Sequence, residues 1–303
     1  MYLLLMFFMS CVQTALAVNA LEIQGHRGAR WVRPENTLPA FQYALEVGVD
    51  TLEMDTVVTK DDRVVVAHDP YLNPQICLDK NGRRIKDGIL IRSLSLAELK
   101  TYDCGALVHP RFRQQTPVPK TAIPTLDEVF ALAAKSSAGR RVRFNIETKI
   151  ELEHPEYTPD PDRFVDLVLK VIRQHGVVER VTLQSFDYRT LKVARRREPK
   201  LNLSVLMDKR PKVPLADVAR EYDATVVSPR YDWLTEKDVR ELRALGLRVI
   251  PWTVNDPIEA RKLIGWGVAG LITDNPAEMI RLARVRDESL VRPRKPESGD
   301  RSH

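Results

Sequence analysis

Short apolar runs and helix-like segments alternate eight times along this chain, and the alternation limits the folds that it can adopt. The runs are rich in β-branched residues and lie at Glu22–Gly25, Thr51–Val58, Val142–Glu147, Val181–Ser185, Leu201–Leu206, Thr225–Ser228, Arg248–Val254 and Gly270–Thr273. The segments between them repeat apolar residues at helical spacing, as in Leu38–Val47 and Tyr188–Arg196. Strands that alternate with helices build a parallel sheet, and eight such units predict a closed (β/α)8 TIM barrel.

We predict one barrel domain with one large insertion. The 303 residues suffice for a barrel of about 250 residues. Residues 21–284 would form this domain. Residues 69–124 follow the second strand, are rich in Pro, Asn, Asp and Arg, and exceed the length of a single helix, which predicts an inserted subdomain. Residues 285–303 combine Pro, Ser and Gly with dense charge, which predicts a disordered basic tail.

The first 20 residues have the pattern of a secretory signal peptide. No Asp, Glu, Lys or Arg occurs in residues 1–21, Leu3–Met9 is apolar throughout, and small residues follow at Ala17 and Ala20. We therefore expect an exported protein, periplasmic or secreted, that is cleaved after Ala17 or Ala20 and has no membrane span afterwards. Two alternatives stay open: lipidation at Cys11, and an uncleaved anchor, since about 20 apolar residues can span a bilayer.

Export would leave Cys77 and Cys104 as the only cysteines of the mature chain. An oxidising compartment favours a disulfide between them, and the alternative is two unpaired, partly buried thiols.

The net charge of +6 is compatible with several kinds of anionic partner. The chain has no zinc-finger spacing, no Walker-type loop and no basic stripe interleaved with aromatic residues. We therefore expect no nucleic-acid partner, and the pattern does not predict an oligomeric state.

Three acidic residues, Glu53, Asp55 and Glu147, are predicted to converge at the mouth of the barrel, and we call them the acidic trio. Glu53 and Asp55 are two apart on a strand, so both point to one face. Three carboxylates in one site repel each other unless a cation neutralises them, and oxygen ligands select Ca²⁺ or Mg²⁺. An ion pair with Arg or Lys would explain one isolated Asp, but three acids at strand ends beside two histidines favour one divalent cation.

His26 and His68 are the candidates for acid–base catalysis, because both follow extended runs that should end at this mouth. Imidazole titrates near neutrality and can both accept and donate a proton. Arg27 and Lys149 add positive charge suited to a phosphate, and surface salt bridges are the alternative role for these two.

The motifs at these positions form an ordered set. They are Gly25-His26-Arg27-Gly28, Pro34-Glu35-Asn36-Thr37, Glu53-Met54-Asp55, Val66-Ala67-His68-Asp69, Ile123-Pro124-Thr125-Leu126, Glu147-Thr148-Lys149, Gln184-Ser185-Phe186, Trp252-Thr253-Val254-Asn255 and Thr273-Asp274-Asn275-Pro276. The set resembles the glycerophosphodiester phosphodiesterase family over about residues 23–279.

This resemblance implies a barrel with a small insertion after the second strand and a divalent ion on the acidic trio. It implies His26 as base and His68 as acid, with the phosphate bound by Arg27 and Lys149. It also implies Trp252 in a glycerol pocket and Glu35, Asn36 and Gln184 as supporting residues.

The function that follows is metal-dependent hydrolysis of small glycerophosphodiesters to glycerol 3-phosphate and an alcohol. The alternatives are a lysophospholipase D-like or phosphoinositide-cleaving phospholipase on the same barrel, and a catalytically inactive binding barrel. An inactive barrel would lack a histidine or a metal-binding carboxylate, and none is missing.

Overall fold

The structure of the protein, a computed structural model, describes the backbone of residues 21–291 and the side chains of residues 21–284. The predicted signal peptide, residues 1–20, lies outside the described residues.

Eleven strands and nine α-helices follow each other along residues 21–291. The strands are β1 (Glu22–Gly25), β2 (Thr51–Val58), β3 (Val64–Val66), β4 (Tyr71–Leu72), β5 (Ile89–Leu90), β6 (Arg143–Thr148), β7 (Val181–Ser185), β8 (Asn202–Met207), β9 (Val226–Pro229), β10 (Arg248–Val249) and β11 (Gly270–Thr273). The helices are α1 (Leu38–Val47), α2 (Leu96–Leu99), α3 (Leu126–Ala134), α4 (Pro161–Gln174), α5 (Tyr188–Arg197), α6 (Leu215–Glu221), α7 (Glu236–Ala244), α8 (Pro257–Trp266) and α9 (Pro276–Val291).

Eight parallel strands form the barrel, in the order β10-β9-β8-β7-β6-β2-β1-β11. The ring closes between β11 and the chain at and after β10, where Ala269 N donates to Val249 O (2.8 Å) and Ile272 N donates to Pro251 O (3.0 Å). The predicted (β/α)8 barrel is therefore confirmed.

The alternation of side chains on β2 separates the helix layer from the barrel interior. Leu52 and Met54 are fully buried within the main hydrophobic core, which lies between the strands and the surrounding helices. Glu53 and Asp55 point the other way, into the barrel, as the period of two requires. Since β2 pairs with β6 in a register that sets Asp55 beside Glu147, the two strands bring the whole acidic trio to one level.

Residues 69–124 have a small core of their own beside the mouth of the barrel. They carry β4, β5 and α2, and β4 pairs with β5 in an antiparallel ribbon. Their buried apolar side chains, including Leu72, Ile91 and Leu99, pack with Val57 and Val65 of the β2–β3 hairpin. A disulfide joins Cys77 to Cys104 inside this cluster.

The helix α9 continues to Val291, past residue 285, where the C-terminal tail was predicted to begin. The remainder of the predicted tail, residues 292–303, lies outside the described residues. Within residues 21–291, no helix combines the length and apolar character needed to cross a membrane.

We expect Cys77 and Cys104 to be oxidised in the exported protein, since both side chains are buried and directly bonded. Thiol titration under denaturing conditions, on protein isolated from an oxidising compartment and cleaved at Ala20, should find no free thiol until a reductant is added. The Cys77→Ser/Cys104→Ser variant should lower the free energy of unfolding by about 3 kcal/mol. Two reactive thiols before reduction would contradict the bond.

Candidate active site

The turn after β1 places His26 and Arg27 at the mouth of the barrel. Arg27 and Gly28 both have left-handed backbone, with φ of 50° and 81°. A Cβ on Gly28 would lie 2.7 Å from the carbonyl carbon of Ala40, so only glycine lets this turn pack against α1. The glycine therefore fixes the direction in which the two side chains before it point.

The acidic trio lies at the ends of β2 and β6, and its three carboxylates come together as the sequence predicted. Each residue offers an oxygen atom, and these atoms all lie within 4.8 Å of one another. All three side chains are buried. Carboxylates that are this close and this well shielded from water form a strongly negative site.

The repulsion within the trio appears in the pKa values of its members. Burial, and then the charge of Asp55, raises the pKa of Glu53 well above its usual range. Burial also raises the pKa of Glu147 to about 7, with Asp55 adding to this effect and Lys149 opposing it. Burial works in the same direction on Asp55, but Arg27 and His68 outweigh it and hold the pKa of Asp55 below its usual range. A divalent cation would relieve this repulsion, so an all-oxygen donor set of this kind fits Ca²⁺ or Mg²⁺.

Neutral donors fix the orientation of the trio. Gln184 Nε2 donates to Glu53 Oε1 at 2.8 Å, and the backbone N–H of Arg27 donates to Glu53 Oε2 at 2.9 Å. Asn36 Nδ2 donates to Asp55 Oδ2 at 2.9 Å. Gln184 and Asn36 thus lie where a supporting role requires them.

His26 is held by one of its two ring nitrogens. Its Nδ1 lies 2.6 Å from Asp274 Oδ1, and its Nε2 faces the trio, 3.9 Å from Glu53 Oε2. Burial, and then Arg30, lowers the pKa of His26 to about 4, although Asp274 acts in the opposite direction. The ring is therefore neutral at pH 7, with Nδ1–H donating to Asp274 and the lone pair of Nε2 available.

His68 lies on the other side of the trio, next to Lys149. Its Nδ1 is 2.9 Å from Asp69 Oδ1, and its Nε2 is 3.2 Å from Lys149 Nζ. Lys149 Nζ also lies 3.0 Å from Glu147 Oε1. Lys149 therefore bridges the second histidine and the acidic trio.

Arg27 and Glu35 form a buried ion pair at the edge of the trio. Arg27 Nη1 donates to Glu35 Oε1 at 2.6 Å, and Arg27 Nε lies 3.2 Å from Asp55 Oδ2. Glu35 thus orients Arg27 and does not contact the main cavity.

A cavity of about 560 Å³ joins these groups. Apolar side chains, including Leu206 and Ile272, form part of the wall of this cavity. Trp252 belongs to this wall, with its ring edge-on to Phe186 at 5.5 Å between centroids and its Nε1 bonded to Ser228 O at 2.9 Å. The predicted pocket residue therefore lines the cavity, whereas Cys77 and Cys104 lie outside it, in the insertion.

The structure adds residues to which sequence reasoning gave no role. Asp274 accepts from Arg30 Nε (2.6 Å) and Asn255 Nδ2 (2.7 Å) as well as from His26. Asp274 and Asn255 belonged to quoted motifs at strand ends, which was a usable signal. Arg30, and Arg111 and Phe112 from the insertion, also line the cavity, and no periodicity or spacing marked them.

Comparisons with known proteins agree with this site. A glycerophosphodiester phosphodiesterase of Bacillus altitudinis is 30% identical over 274 residues, which are 88% of this chain and 98% of that protein. A crystal structure from Silicibacter pomeroyi DSS-3, provisionally assigned as a glycerophosphoryl diester phosphodiesterase, has a TM-score of 0.83 and 29% identity over 88% of this chain and 94% of that one.

An Oleispira antarctica phosphodiesterase, solved in complex with the product sn-glycerol-3-phosphate, shares the barrel fold. Its TM-score is 0.73 and its identity 23%, over 88% of this chain and 97% of that one. The model of the glycerophosphoryl diester phosphodiesterase family matches residues 26–278. Since this match covers most of the chain, the protein is a phosphodiesterase and belongs to the glycerophosphoryl diester phosphodiesterase family.

Proposed function

We propose that the protein hydrolyses glycerophosphodiesters to glycerol 3-phosphate and an alcohol, using one divalent cation and two histidines. One observation carries this proposal: a trio of buried carboxylates opens into a cavity that His26 and His68 enter from different strands. The glycerol 3-phosphate bound to the Oleispira relative supports the choice of substrate class.

Glu53, Asp55 and Glu147 would hold the cation. When bound, a divalent ion draws negative charge from phosphate oxygens as the pentavalent state forms. The buried trio supplies only oxygen atoms, which favours Ca²⁺ or Mg²⁺ over metals that prefer nitrogen or sulfur ligands.

Arg27 and Lys149 would bind the phosphate. Burial lowers the pKa of Lys149, but Glu147 and Asp55 outweigh burial, and the pKa ends above its usual range. The side chain is therefore charged at every pH at which the enzyme would work. The guanidinium of Arg27 is held by Glu35 and faces the same cavity, so it meets a phosphate with little rearrangement.

His26 is suited to remove a proton. Because Nδ1–H is committed to Asp274, the lone pair on Nε2 points into the cavity and is not already protonated at pH 7. The proton would come from a water molecule or from the glycerol 2-hydroxyl. Either attacking group needs the same base in the same place.

His68 is suited to deliver a proton to the leaving alkoxide. Asp69 holds Nδ1, which leaves Nε2 for the substrate. Lys149 Nζ now contacts Nε2, and a bound phosphate would compete for that ammonium group. Once Lys149 turns to the phosphate, Nε2 is free to take up a proton from water, and the imidazolium formed can donate that proton to the leaving oxygen.

The cavity has room for more than the phosphate. Trp252 and Phe186 offer an apolar surface to the carbon skeleton of glycerol, and about 560 Å³ leaves space for a second alcohol. We also propose that the enzyme works outside the cytoplasm. The signal-like start of the chain and the disulfide support this proposal.

An assay of the purified mature protein tests the proposed function. Glycerophosphocholine and glycerophosphoethanolamine should both release glycerol 3-phosphate. A strong preference for lysophospholipid would instead indicate a phospholipase on the same barrel. If neither substrate class releases product in the presence of Ca²⁺ or Mg²⁺, the result would indicate a barrel that binds a ligand without cleaving it.

We expect EDTA to abolish hydrolysis, and Ca²⁺ or Mg²⁺ to restore it, because without the ion the negative charge of the trio repels a phosphodiester. Calorimetric titration of the chelated protein should detect one bound ion. The variant Glu147→Gln should weaken this binding, whereas Glu221→Gln, an exposed acid paired with Lys192, should leave it unchanged. Full activity in chelator, with no metal in the protein, would refute the metal site.

We expect His26→Ala and His68→Ala each to lower kcat by about 10²–10⁴-fold, since a positioned acid or base contributes about this much. The double variant should lose less than the product of the two factors if both act in one step. An exposed histidine in the β6–α4 loop, His154, offers the control variant His154→Ala.

A p-nitrophenolate leaving group needs little protonation. It should therefore restore activity to His68→Ala but not to His26→Ala. Near-normal kcat on glycerophosphocholine in either well-folded variant would end the two-histidine mechanism.

A further inference from the structure

The carboxylate behind His68 is itself held by a residue of the insertion. Asp69 Oδ1 lies 2.9 Å from His68 Nδ1, and the other oxygen, Oδ2, accepts from Asn73 Nδ2 at 2.8 Å. The three side chains form a line that starts in the insertion and ends at the cavity. A small secondary cavity of about 30 Å³ lies beside all three.

The amide of Asn73 has a fixed orientation. Its Oδ1 accepts from the backbone N–H of Gln75 at 2.9 Å, in a turn that the side chain itself closes. With the oxygen committed to the turn, the amide nitrogen must face Asp69. The side chain of Asn73 therefore makes two different hydrogen bonds: its oxygen accepts within the turn, and its nitrogen donates to the Asp69 carboxylate.

The disulfide ties the backbone that carries Asn73 to the later part of the insertion. The N–H groups of Ile76 and Cys77 donate to Asn73 O at 3.1 and 3.0 Å. Cys77 is bonded to Cys104, whose N–H donates to Thr121 O at 2.8 Å.

The chain then returns to the strand that precedes His68. Val66 N donates to Pro124 O at 2.8 Å. Both ends of the insertion are thus tied down beside His68.

His68 needs such support because little else fixes its ring. The His68 side chain is 34% exposed, more than the 11% of His26. On its cavity side it contacts Lys149, which we expect to turn towards the phosphate. Asp69 is then the contact that sets the ring plane, and a rotated ring would aim Nε2 away from the leaving oxygen.

We propose that Asn73 is a positioning residue: it orients Asp69, and through Asp69 it holds His68 in line with the leaving group. This inference rests on the proposed function, in which His68 delivers the proton. The insertion thereby contributes to the chemical step as well as to the shape of the cavity.

Two variants of Asn73 separate the contact from the turn. Asn73→Ala removes both, whereas Asn73→Asp keeps the oxygen that accepts from Gln75 and removes the donor to Asp69. Asn81→Ala, at an exposed asparagine of the same insertion that lines neither cavity, is the matched control. Circular dichroism and thermal unfolding identify the variants that are folded.

We expect both Asn73 variants to lower kcat on glycerophosphocholine about tenfold or more at nearly unchanged KM. The reason is that His68, the proposed acid, is misplaced, whereas the groups that bind the substrate are not disturbed. On the p-nitrophenyl ester of glycerol phosphate, both should stay within about twofold of the parent protein. Asn81→Ala should match the parent on both substrates.

Equal losses on the two substrates would show a merely structural role and overturn the inference. Normal kcat in folded Asn73→Asp would overturn it as well. In that case His68→Ala distinguishes the role of Asn73 from the role of His68. If this variant is slow on glycerophosphocholine but active on the p-nitrophenyl ester, the role of His68 stands and only that of Asn73 falls. Failure of rescue in His68→Ala would remove both.

Discussion

Repulsion among three buried carboxylates is the constraint around which this barrel is organised. Glu53, Asp55 and Glu147 would not share one small volume without partners, since each loses water and gains two like charges. Cations and amide donors accordingly surround the trio, and Arg27 and Lys149 lie in contact with it. The residues proposed to bind a phosphate are thus the ones that stabilise the acidic trio.

Below the trio, the barrel interior continues as a ladder of amides. Asn145 Nδ2 donates both to Gln24 Oε1 (2.8 Å) and to Gln184 Oε1 (2.9 Å), which turns the amide nitrogen of Gln184 towards Glu53. Gln24 in turn donates to Glu22 at 3.0 Å. Gln184 is thus held at both ends of its amide, by Asn145 at the oxygen and by Glu53 at the nitrogen, so the ladder determines which of its atoms faces the trio. An apolar filling would leave Glu53 without this donor.

Patterns in the sequence predicted the fold and most of the site, because both depend on short-range periodicity and on strand ends. Glu53 and Asp55 had to share a face, and parallel strands had to bring them to Glu147. Some observed strands are shifted by one residue from the predicted runs, because pairing with a neighbouring strand sets their limits. For example, β6 begins at Arg143, whereas the predicted run began at Val142. Beyond Val249 the chain continues in irregular backbone, although the predicted run extended to Val254.

What the sequence could not reveal depends on loops. Arg30 reaches Asp274 only because the turn at Gly28 sends the chain back across the mouth. Asn73 reaches Asp69 because an Asx turn and a disulfide close a loop around it. Arg111 and Phe112 face the cavity from an insertion without periodicity. Such contacts depend on the path of a loop, which leaves no periodic pattern in the sequence.

The dyad of His26 and Asp274 joins the first strand of the barrel to the residue after the last one, 248 positions later. A chain emerging from the ribosome therefore carries His26 almost from the start, but completes its histidine–carboxylate pair only when the eighth strand docks. A shortened or incompletely closed barrel would hold the acidic trio and still lack an oriented His26. The proposed base is thus oriented only in a barrel that has closed.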